Sequence, residues 1–443
     1  MLNAKKLTLA VLVQAALIST AVASEQSEAK GFVEDAEGSV LFRTGYLNRD
    51  KKDGLTNDTS SAAQTAIINL DSGFTKGIVG FGAGIIGDAS FKLGKNGHTG
   101  NQMIPTHSED NADGTKDAYD HWARGGANVK ARISNTTVTY GTQVSELPVM
   151  ASNTARLVPE YYTGVFIESN EIKNLNLVAG KFTKNQWSDD IKSDGQNLDR
   201  AIIWGAKYKF NDQLSSSYYG LDVKDKLERH YADVNFTQGL KDDASLTLGF
   251  VGYHTDWDEG AATDSHTTND LSNRQNSIWG VSAGYNKDVH NVMVAYQDNA
   301  GNTGYDYGYN ADGLQSIYVP NSYLSDFNGN DEKSVQLQYN YNFKNHNLPG
   351  LNWTTAFVYG WDIDIASQTD RSKIIDQAEE HEFFNQLKYT VQTGPMKDTS
   401  LRLRHSYLRA SDTYNNASGN YVSNAIGSTN EWRIWLDIPV KLF

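Results

Sequence analysis

The end of the chain alternates strictly between apolar and other side chains. The apolar members of this run are Trp432, Ile434, Leu436, Ile438, Val440 and Leu442. A period of two residues is that of a β-strand with one apolar face and one polar face. The run is about 36 Å long at ~3.3 Å per residue, and a strand tilted by about 40° would cross the ~25 Å apolar band of a bilayer. A final Phe443 is typical of such barrel strands, although it lies one residue off the apolar parity.

The first 23 residues are expected to be a secretory signal peptide. Lys5 and Lys6 give the positive start, residues 7–18 the short apolar core, and Ala21–Ala23 a small-residue cleavage site. After Ala23 no apolar run reaches the roughly 18 residues that a transmembrane helix needs. The mature chain, expected to begin near Ser24, therefore has only strands with which to cross a membrane.

Composition excludes several classes of function. The chain has no cysteine, so neither a thiolate metal site nor a cysteine nucleophile is available. Lys and Arg number 39 against 53 Asp and Glu, and the formal charge of -14 argues against a general nucleic-acid binder. The ten His residues show neither HExxH nor a paired metal spacing, so we expect no metal and no cofactor.

Alternating segments separated by Asn, Asp, Gly and Ser turns recur along the chain. The predicted strands lie at 38–49, 61–73, 76–91, 122–134, 136–143, 162–172, 175–184, 199–210, 213–223, 226–238, 243–257, 275–286, 289–298, 333–343, 352–362, 381–392, 399–409 and 430–442. Short turns alternate with long connections, as in bacterial barrels with an even number of strands. The sequence thus predicts an all-β fold, a transmembrane antiparallel β-barrel of about 18 strands, formed by residues 24–443 as one domain.

The connection at 143–163 has a different character from the other long connections. Its sequence, QVSELPVMASNTARLVPEYYT, contains two of the seven prolines and little strand periodicity. It lies between two predicted strands. Both a constriction loop folded into the barrel and an ordinary external loop agree with this pattern.

Strand parity places basic side chains inside the barrel. A Lys or Arg in the middle of the lipid-facing surface costs about 2–4 kcal/mol, so bases on the other parity should face the lumen. The first and last strands adjoin in a closed barrel, which brings strands 16, 17, 18 and 1 together. The predicted basic track consists of Arg43, Lys130, Arg132, Lys388, Arg402, Arg404 and Arg433. Such a track would replace the hydration of a passing carboxylate; alternatively, the charges pair with lumenal acids and only fill space.

Several runs of the chain resemble the OprD-type family of outer-membrane channels, also called carboxylate-specific porins. They are SEQSEAKGFVEDAEGSVLFRTGYLNRD (24–50), LDSGFTKGIVGFGAGIIGDASFKL (70–93), NVKARISNTTVTYGTQ (128–143), ARLVPEYYTGVFI (155–167), GKFT (180–183) and NSYLSDFNGNDEKSVQLQYNYNF (321–343). The resemblance implies an 18-stranded monomeric barrel in the outer membrane of a Gram-negative bacterium. It also implies that two loops, here 143–163 and 300–332, fold inward to form a narrow eyelet. The implied solutes are small carboxylates, such as basic amino acids or aromatic acids, and in some members carbapenem antibiotics.

Candidate eyelet residues lie in or near two of these runs. Arg156 in ARLVP is the basic candidate, and the other candidates are Asp312, Ser322, Tyr323 and Asp326. An acidic side facing the basic track would attract the cationic end of a zwitterion such as arginine. Asp326 is the acid that we expect in this role, the alternative being an aspartate that only stabilises a turn.

The predicted function is a substrate-selective diffusion channel and not an enzyme. The GxGxxG match at 82–87 and the GxSxG match at 280–284 lie inside predicted strands without the helix that each motif requires. A general-diffusion porin is the nearest alternative, and a barrel hydrolase a more distant one, because no Ser/His/Asp cluster is identifiable. The expected partners besides the solutes are outer-membrane lipids, lipopolysaccharide and the barrel-assembly machinery, with no nucleic acid.

Overall fold

One closed sheet accounts for most of the computed structural model, which describes residues 24–52, 57–95, 101–110, 116–259, 261, 274–308, 316–366, 374–417 and 426–443. The predicted signal peptide, 1–23, lies outside these residues. The sheet has 18 strands: β1 (Glu37–Lys51), β2 (Thr59–Asp71), β3 (Val79–Lys95), β4 (His121–Ile133), β5 (Thr136–Gln143), β6 (Tyr161–Ile172), β7 (Leu175–Gln186), β8 (Ala201–Lys209), β9 (Leu214–Val223), β10 (Leu227–Gly239), β11 (Ser245–Trp257), β12 (Gln275–Lys287), β13 (His290–Gly301), β14 (Lys333–Asn342), β15 (Leu351–Ala366), β16 (Ile374–Thr390), β17 (Ser400–Ala410) and β18 (Thr429–Lys441).

Each strand pairs antiparallel with the next, and β1 pairs with β18 to close the barrel, from Ser39 opposite Lys441 to Lys51 opposite Thr429. The predicted fold class is therefore confirmed. We call the end with turns such as 173–174 and 288–289 the short-turn rim, and the opposite end the long-loop rim.

Strand β16 shows the clearest difference from the predicted boundaries, because it begins at Ile374 and not at 381. Its first residues continue the ladder with β15, as in the pairing of Ile375 with Ile365. The sequence there, IIDQAEE, has no apolar alternation. The backbone ladder continues here without such alternation, and Ile363 and Ile365 at the facing end of β15 are buried in a small cluster with Ala378 and Tyr414.

The two faces of the strands follow the predicted parity. On β17 the outward residues Leu401, Leu403 and Tyr407 are exposed, whereas Arg402 and Arg404 lie on the opposite, lumenal face. Exposed apolar side chains in a continuous band are what lipid contact requires.

The final residue, Phe443, lies outside the strand parity because β18 ends at Lys441. Its ring packs on Gly38, where an added Cβ would come within 2.7 Å of the ring. The backbone still pairs here, since Leu442 N–H donates to Gly38 O at 2.8 Å. Glycine at position 38 thus provides the space in which the terminal ring covers the seam between the first and last strands.

Little other regular structure is present in the described part of the chain. It comprises a 3-10 helix, Phe343–His346, the helix α1, Asp412–Ala417, and two ribbons, Thr106–Asp110 with Lys116–Ala118 and Glu146–Leu147 with Met150–Ala151. No helix among the described residues is long and apolar enough to span a membrane.

Candidate constriction site

The segment 143–163 lies against lumenal side chains of the wall. Met150 is buried in an apolar cluster with residues of β6–β11, and Leu157 in a second cluster with residues of β1 and β18. Arg124 on β4 donates to Pro159 O at 2.6 Å, and Arg43 on β1 donates to Arg156 O at 3.2 Å. The segment therefore crosses the barrel interior between two parts of the wall.

The segment 300–332 also approaches the interior, where β16 holds one of its turns. The buried Glu382 carboxylate accepts hydrogen bonds from the backbone N–H groups of Leu324 and Ser325, each at 3.0 Å to Oε2. Glu380 accepts from Ser325 Oγ at 2.5 Å, and Gln297 on β13 donates to Phe327 O at 2.8 Å. The turn that carries Ser322, Tyr323 and Asp326 is thus fixed to the wall.

The two segments and the wall enclose a cavity of about 220 Å³. Its charged and polar lining consists of Arg49, Asn153, Arg156, Tyr307, Ser322, Tyr323, Asp326, Arg404 and Arg433. The predicted eyelet residues Arg156, Ser322, Tyr323 and Asp326 therefore lie together, next to Arg404 and Arg433 of the predicted track. Asp312 lies outside the described residues.

Asp326 forms an acidic side of this cavity and also stabilises its own turn. Its carboxylate accepts hydrogen bonds from Ser322 Oγ at 2.5 Å and from the Tyr307 hydroxyl. Burial raises the pKa of Asp326, and these two hydroxyl donors act in the opposite direction. Both roles that were considered for Asp326 are thus compatible with its position.

Arg156 lies in a strongly positive environment. The residue is 5% exposed, and its guanidinium donates to Gln102 Oε1 at 2.8 and 3.1 Å. Burial, together with the nearby guanidinium groups of Arg433 and Arg49, lowers the pKa of Arg156. The carboxylates of Glu431 and Asp189 act in the opposite direction, so charges of both signs lie close to Arg156.

Strand register arranges several bases of the predicted track in rows across β16, β17 and β18. Arg404 lies opposite Arg433, and Lys388 opposite Arg402. Rows on one face are separated by two residues, or about 7 Å. A solute moving along the axis would therefore pass successive charged rows.

Several members of the track have a carboxylate partner. Arg43 binds Asp437 through two hydrogen bonds, at 2.7 and 3.0 Å. Arg433 and Arg49 share Glu431, with the nearest atoms 2.5 and 2.8 Å apart. The charges of Arg43, Arg49 and Arg433 are therefore neutralised by lumenal acids, as the alternative interpretation of the track predicts.

Lys130 and Arg132 do not line the cavity. Lys130 pairs with Asp71, while Arg132 stacks on Phe74 with 4.0 Å from its guanidinium carbon to the ring centroid and donates to Gln26 at 3.1 Å. These contacts place both bases near the short-turn rim, where Arg132 fastens the N-terminal segment to the wall.

Arg402, Arg404 and Lys388 form no ion pair with any residue that the structure describes. The guanidinium of Arg404 is incompletely hydrogen-bonded, since its Nε and Nη2 are buried and have no hydrogen-bond partner among the described residues. Its guanidinium lies over the Phe384 ring, 4.8 Å from the centroid. Buried donors without a partner are costly, and donors that line a cavity are therefore suited to binding an acceptor that enters it.

Sequence reasoning missed four residues of this site, namely Arg49, Tyr307, Glu382 and Glu431. Three of them could have been found by extending the parity argument, since Arg49, Glu382 and Glu431 share the lumenal face of their strands with Arg43, Lys388 and Arg433. Tyr307 lies in a connection without periodicity and gives no such signal.

Comparison with known proteins agrees with this architecture. The model of the family described as outer membrane porin, OprD family, matches residues 30–442. The crystal structure of Acinetobacter baumannii OccAB1 is 61% identical and covers 95% of this chain and 100% of that chain, with a TM-score of 0.87. Porin D of Pseudomonas aeruginosa is 34% identical over 96% of this chain and 95% of its own length, and the porin-like protein GalP of Pseudomonas putida is 28% identical over 87% and 89%. The chain therefore belongs to the OprD family of outer-membrane porins of Gram-negative bacteria.

Proposed function

We propose that this porin is a passive, substrate-selective channel for small solutes that carry a carboxylate, and that it has no enzymatic activity. The observation that carries the proposal is the pair of buried, unpartnered guanidinium donors on Arg404 at the wall of the constriction cavity. A carboxylate offers two oxygens in the geometry that a guanidinium group binds best.

The solute carboxylate would bind Arg404 at the constriction and then Arg402 and Lys388 towards the short-turn rim. Arg402 and Lys388 are suited to this because neither pairs with an acid among the described residues, and they lie on the row next to that of Arg404. A series of weak sites lets an anion enter a narrow pore and leave it again. The paired bases Arg43 and Arg433 would contribute through their field more than through direct hydrogen bonds.

The acidic side of the cavity supports an extension of the proposal to basic amino acids. Asp326 lines the same cavity as Arg404 and Arg156, and these two cations lower its pKa against the larger effect of burial. A zwitterion with a second cationic group can therefore orient its carboxylate towards Arg404 and its cation towards Asp326. Carbapenems, which carry a carboxylate, fit the same chemistry.

Outside the lumen, we propose that the exposed apolar band contacts outer-membrane lipids and lipopolysaccharide, and that the channel functions as a monomer. The terminal strand β18 with Phe443 is the segment that we expect the barrel-assembly machinery to recognise, since its outward residues alternate up to Leu442.

Solute uptake into proteoliposomes tests the proposed function. A swelling panel of amino acids, aromatic acids and neutral sugars should show faster entry of carboxylates than of sugars of equal size. Arg404→Gln should slow carboxylate entry by about tenfold or more, because a hydrogen-bonded ion pair contributes about 1.5–3 kcal/mol, and it should leave sugar entry nearly unchanged.

The matched control is Arg200→Gln, which removes the same charge from an ion pair with Asp222 away from the cavity. It should leave both rates unchanged. Equal slowing of carboxylates and sugars by Arg404→Gln would instead indicate a general-diffusion porin with a disturbed pore.

A further inference from the structure

Glu431 is a carboxylate built into the arginine cluster of the constriction. It lies on the lumenal face of β18 and is 1% exposed. Arg433 Nε and Nη2 donate to its two oxygens at 2.5 and 3.0 Å, and Arg49 Nε donates at 2.8 Å. Both oxygens are therefore occupied by guanidinium donors in the manner of a bound carboxylate ligand.

The register of the wall keeps Glu431 in this position. Glu431 lies directly opposite Arg49 on β1 and opposite Ser406 on β17. Its neighbour two residues along the same face is Arg433, which lies opposite Arg404. The acid thus belongs to the row adjacent to the one that contains the unpartnered donors of Arg404.

The charge balance of the constriction depends strongly on this one acid. The described residues that line the cavity include four guanidinium groups, on Arg49, Arg156, Arg404 and Arg433, and one carboxylate, on Asp326. Glu431 adds a second carboxylate bound to two of those arginines. These six groups alone have a formal charge of 4 minus 2, or +2, which would be +3 without Glu431; Asp189 and Glu382 also act on Arg156 and Arg404, from outside the cavity lining.

We propose that Glu431 is a specificity-determining residue of the channel. Its carboxylate takes the place that a permeating anion would otherwise take on Arg49 and Arg433, whereas Arg404, which lines the same cavity, keeps two buried donors without a partner among the described residues. The residue thereby limits anion selectivity and keeps the binding of each solute weak enough for release. The proposal rests on the proposed function in one respect, namely that the physiological anion is a carboxylate.

Ion selectivity in planar bilayers tests this role without any carboxylate solute. The chloride-to-potassium permeability ratio is obtained from the reversal potential in a KCl gradient at low ionic strength, where screening is weak. Glu431→Gln, which keeps the shape of the side chain, should raise this ratio by about three- to tenfold. Asp288→Asn, which removes an equal charge from the exposed pair with Lys344 at the short-turn rim, should not change it.

A second comparison covers the possibility that Glu431→Gln does not fold, which electrophoretic heat modifiability would reveal. The comparison uses Arg433→Gln and the double variant Glu431→Gln/Arg433→Gln. In the double variant only Arg49 loses its carboxylate partner, whereas in Glu431→Gln both Arg49 and Arg433 lose it. The double variant should then be more anion-selective than Arg433→Gln alone. An unchanged ratio in the folded single variant, or equal ratios in this pair, would overturn the proposal.

The experiments distinguish a failure of the role of Glu431 from a failure of the proposed carboxylate specificity. If Arg404→Gln slows carboxylates and sugars equally while Glu431→Gln still raises chloride selectivity, the carboxylate specificity is wrong and the role of Glu431 stands. If carboxylate uptake depends on Arg404 but Glu431→Gln leaves the permeability ratio unchanged, only the present inference is wrong.

Discussion

The width of the constriction should depend on Glu382, although this side chain does not line the cavity. Its carboxylate receives the N–H groups of Leu324 and Ser325, and this turn carries Tyr323 and Asp326. Hydrogen bonds to a charged group contribute about 1.5–3 kcal/mol each, so Glu382→Ala should destabilise the closed turn by about 3–6 kcal/mol. Glu382→Gln retains one neutral acceptor and should cost about half as much.

A loss of ~3 kcal/mol raises the population of the open turn by about 100-fold, which is enough to make local opening visible. The assay is single-channel recording in planar bilayers. Glu382→Ala should show higher mean conductance and frequent steps between two levels, and Glu382→Gln should show an intermediate pattern.

The matched control is Glu379→Gln on the same strand, whose exposed carboxylate accepts from the Tyr359 hydroxyl at 2.5 Å. This variant should behave as the parent channel. Unaltered conductance and noise in folded Glu382→Ala would refute the reasoning that Glu382 fixes the turn.

Three further predictions follow from particular contacts. Because burial raises the pKa of Asp326, acidification should neutralise its carboxylate at a higher pH than for an ordinary aspartate, and channel block by a basic amino acid should weaken as the pH falls through that value; Asp326→Asn should abolish this pH dependence. Gly38→Val should lower stability against urea by about 1–3 kcal/mol because the Phe443 ring occupies the space of a side chain there, and by clearly less in a Phe443→Ala background. Asp88→Asn should lower the free energy of unfolding in urea by about 3–5 kcal/mol, since Asp88 and Arg124 form a fully buried ion pair. An unchanged free energy of unfolding would contradict a stabilising role for this pair.

Much of the wall was predictable because each lipid-facing strand has apolar residues at alternate positions of its own sequence. Alternation on β18 identifies the outward face directly, and the lumenal position of Arg433 follows from it. The same argument predicts the lumenal face for Arg402 and Arg404, which is the face opposite the exposed Leu401 and Leu403 of β17. It failed at the beginning of β16, because residues 374–380 continue the ladder with β15 although their sequence does not alternate.

Pairing of charges was not predictable in the same way. The contact between Arg43 and Asp437 depends on the register between β1 and β18, which lie at opposite ends of the sequence. A single strand specifies which face a charge occupies but not which residue lies opposite. The track therefore consists of neutralised bases and of unpaired ones, a division that parity alone does not reveal.

The prediction of an eyelet came from the family resemblance and not from sequence periodicity. Between the end of β5 at Gln143 and the beginning of β6 at Tyr161 the segment contains only two ribbon strands of two residues each, so its course depends on tertiary contacts such as that between Arg124 and Pro159. Such contacts between distant residues are invisible in a local pattern.

The central claim, that Arg404 binds the carboxylate of a passing solute, is tested most directly by comparing arginine with argininamide, which lacks only the carboxylate charge. In single-channel recordings of the parent porin, arginine should block the current at a concentration about ten- to 100-fold lower than argininamide does. Arg404→Gln should abolish that difference. Equal block by the two compounds in the parent channel, or an undiminished difference in Arg404→Gln, would contradict the claim.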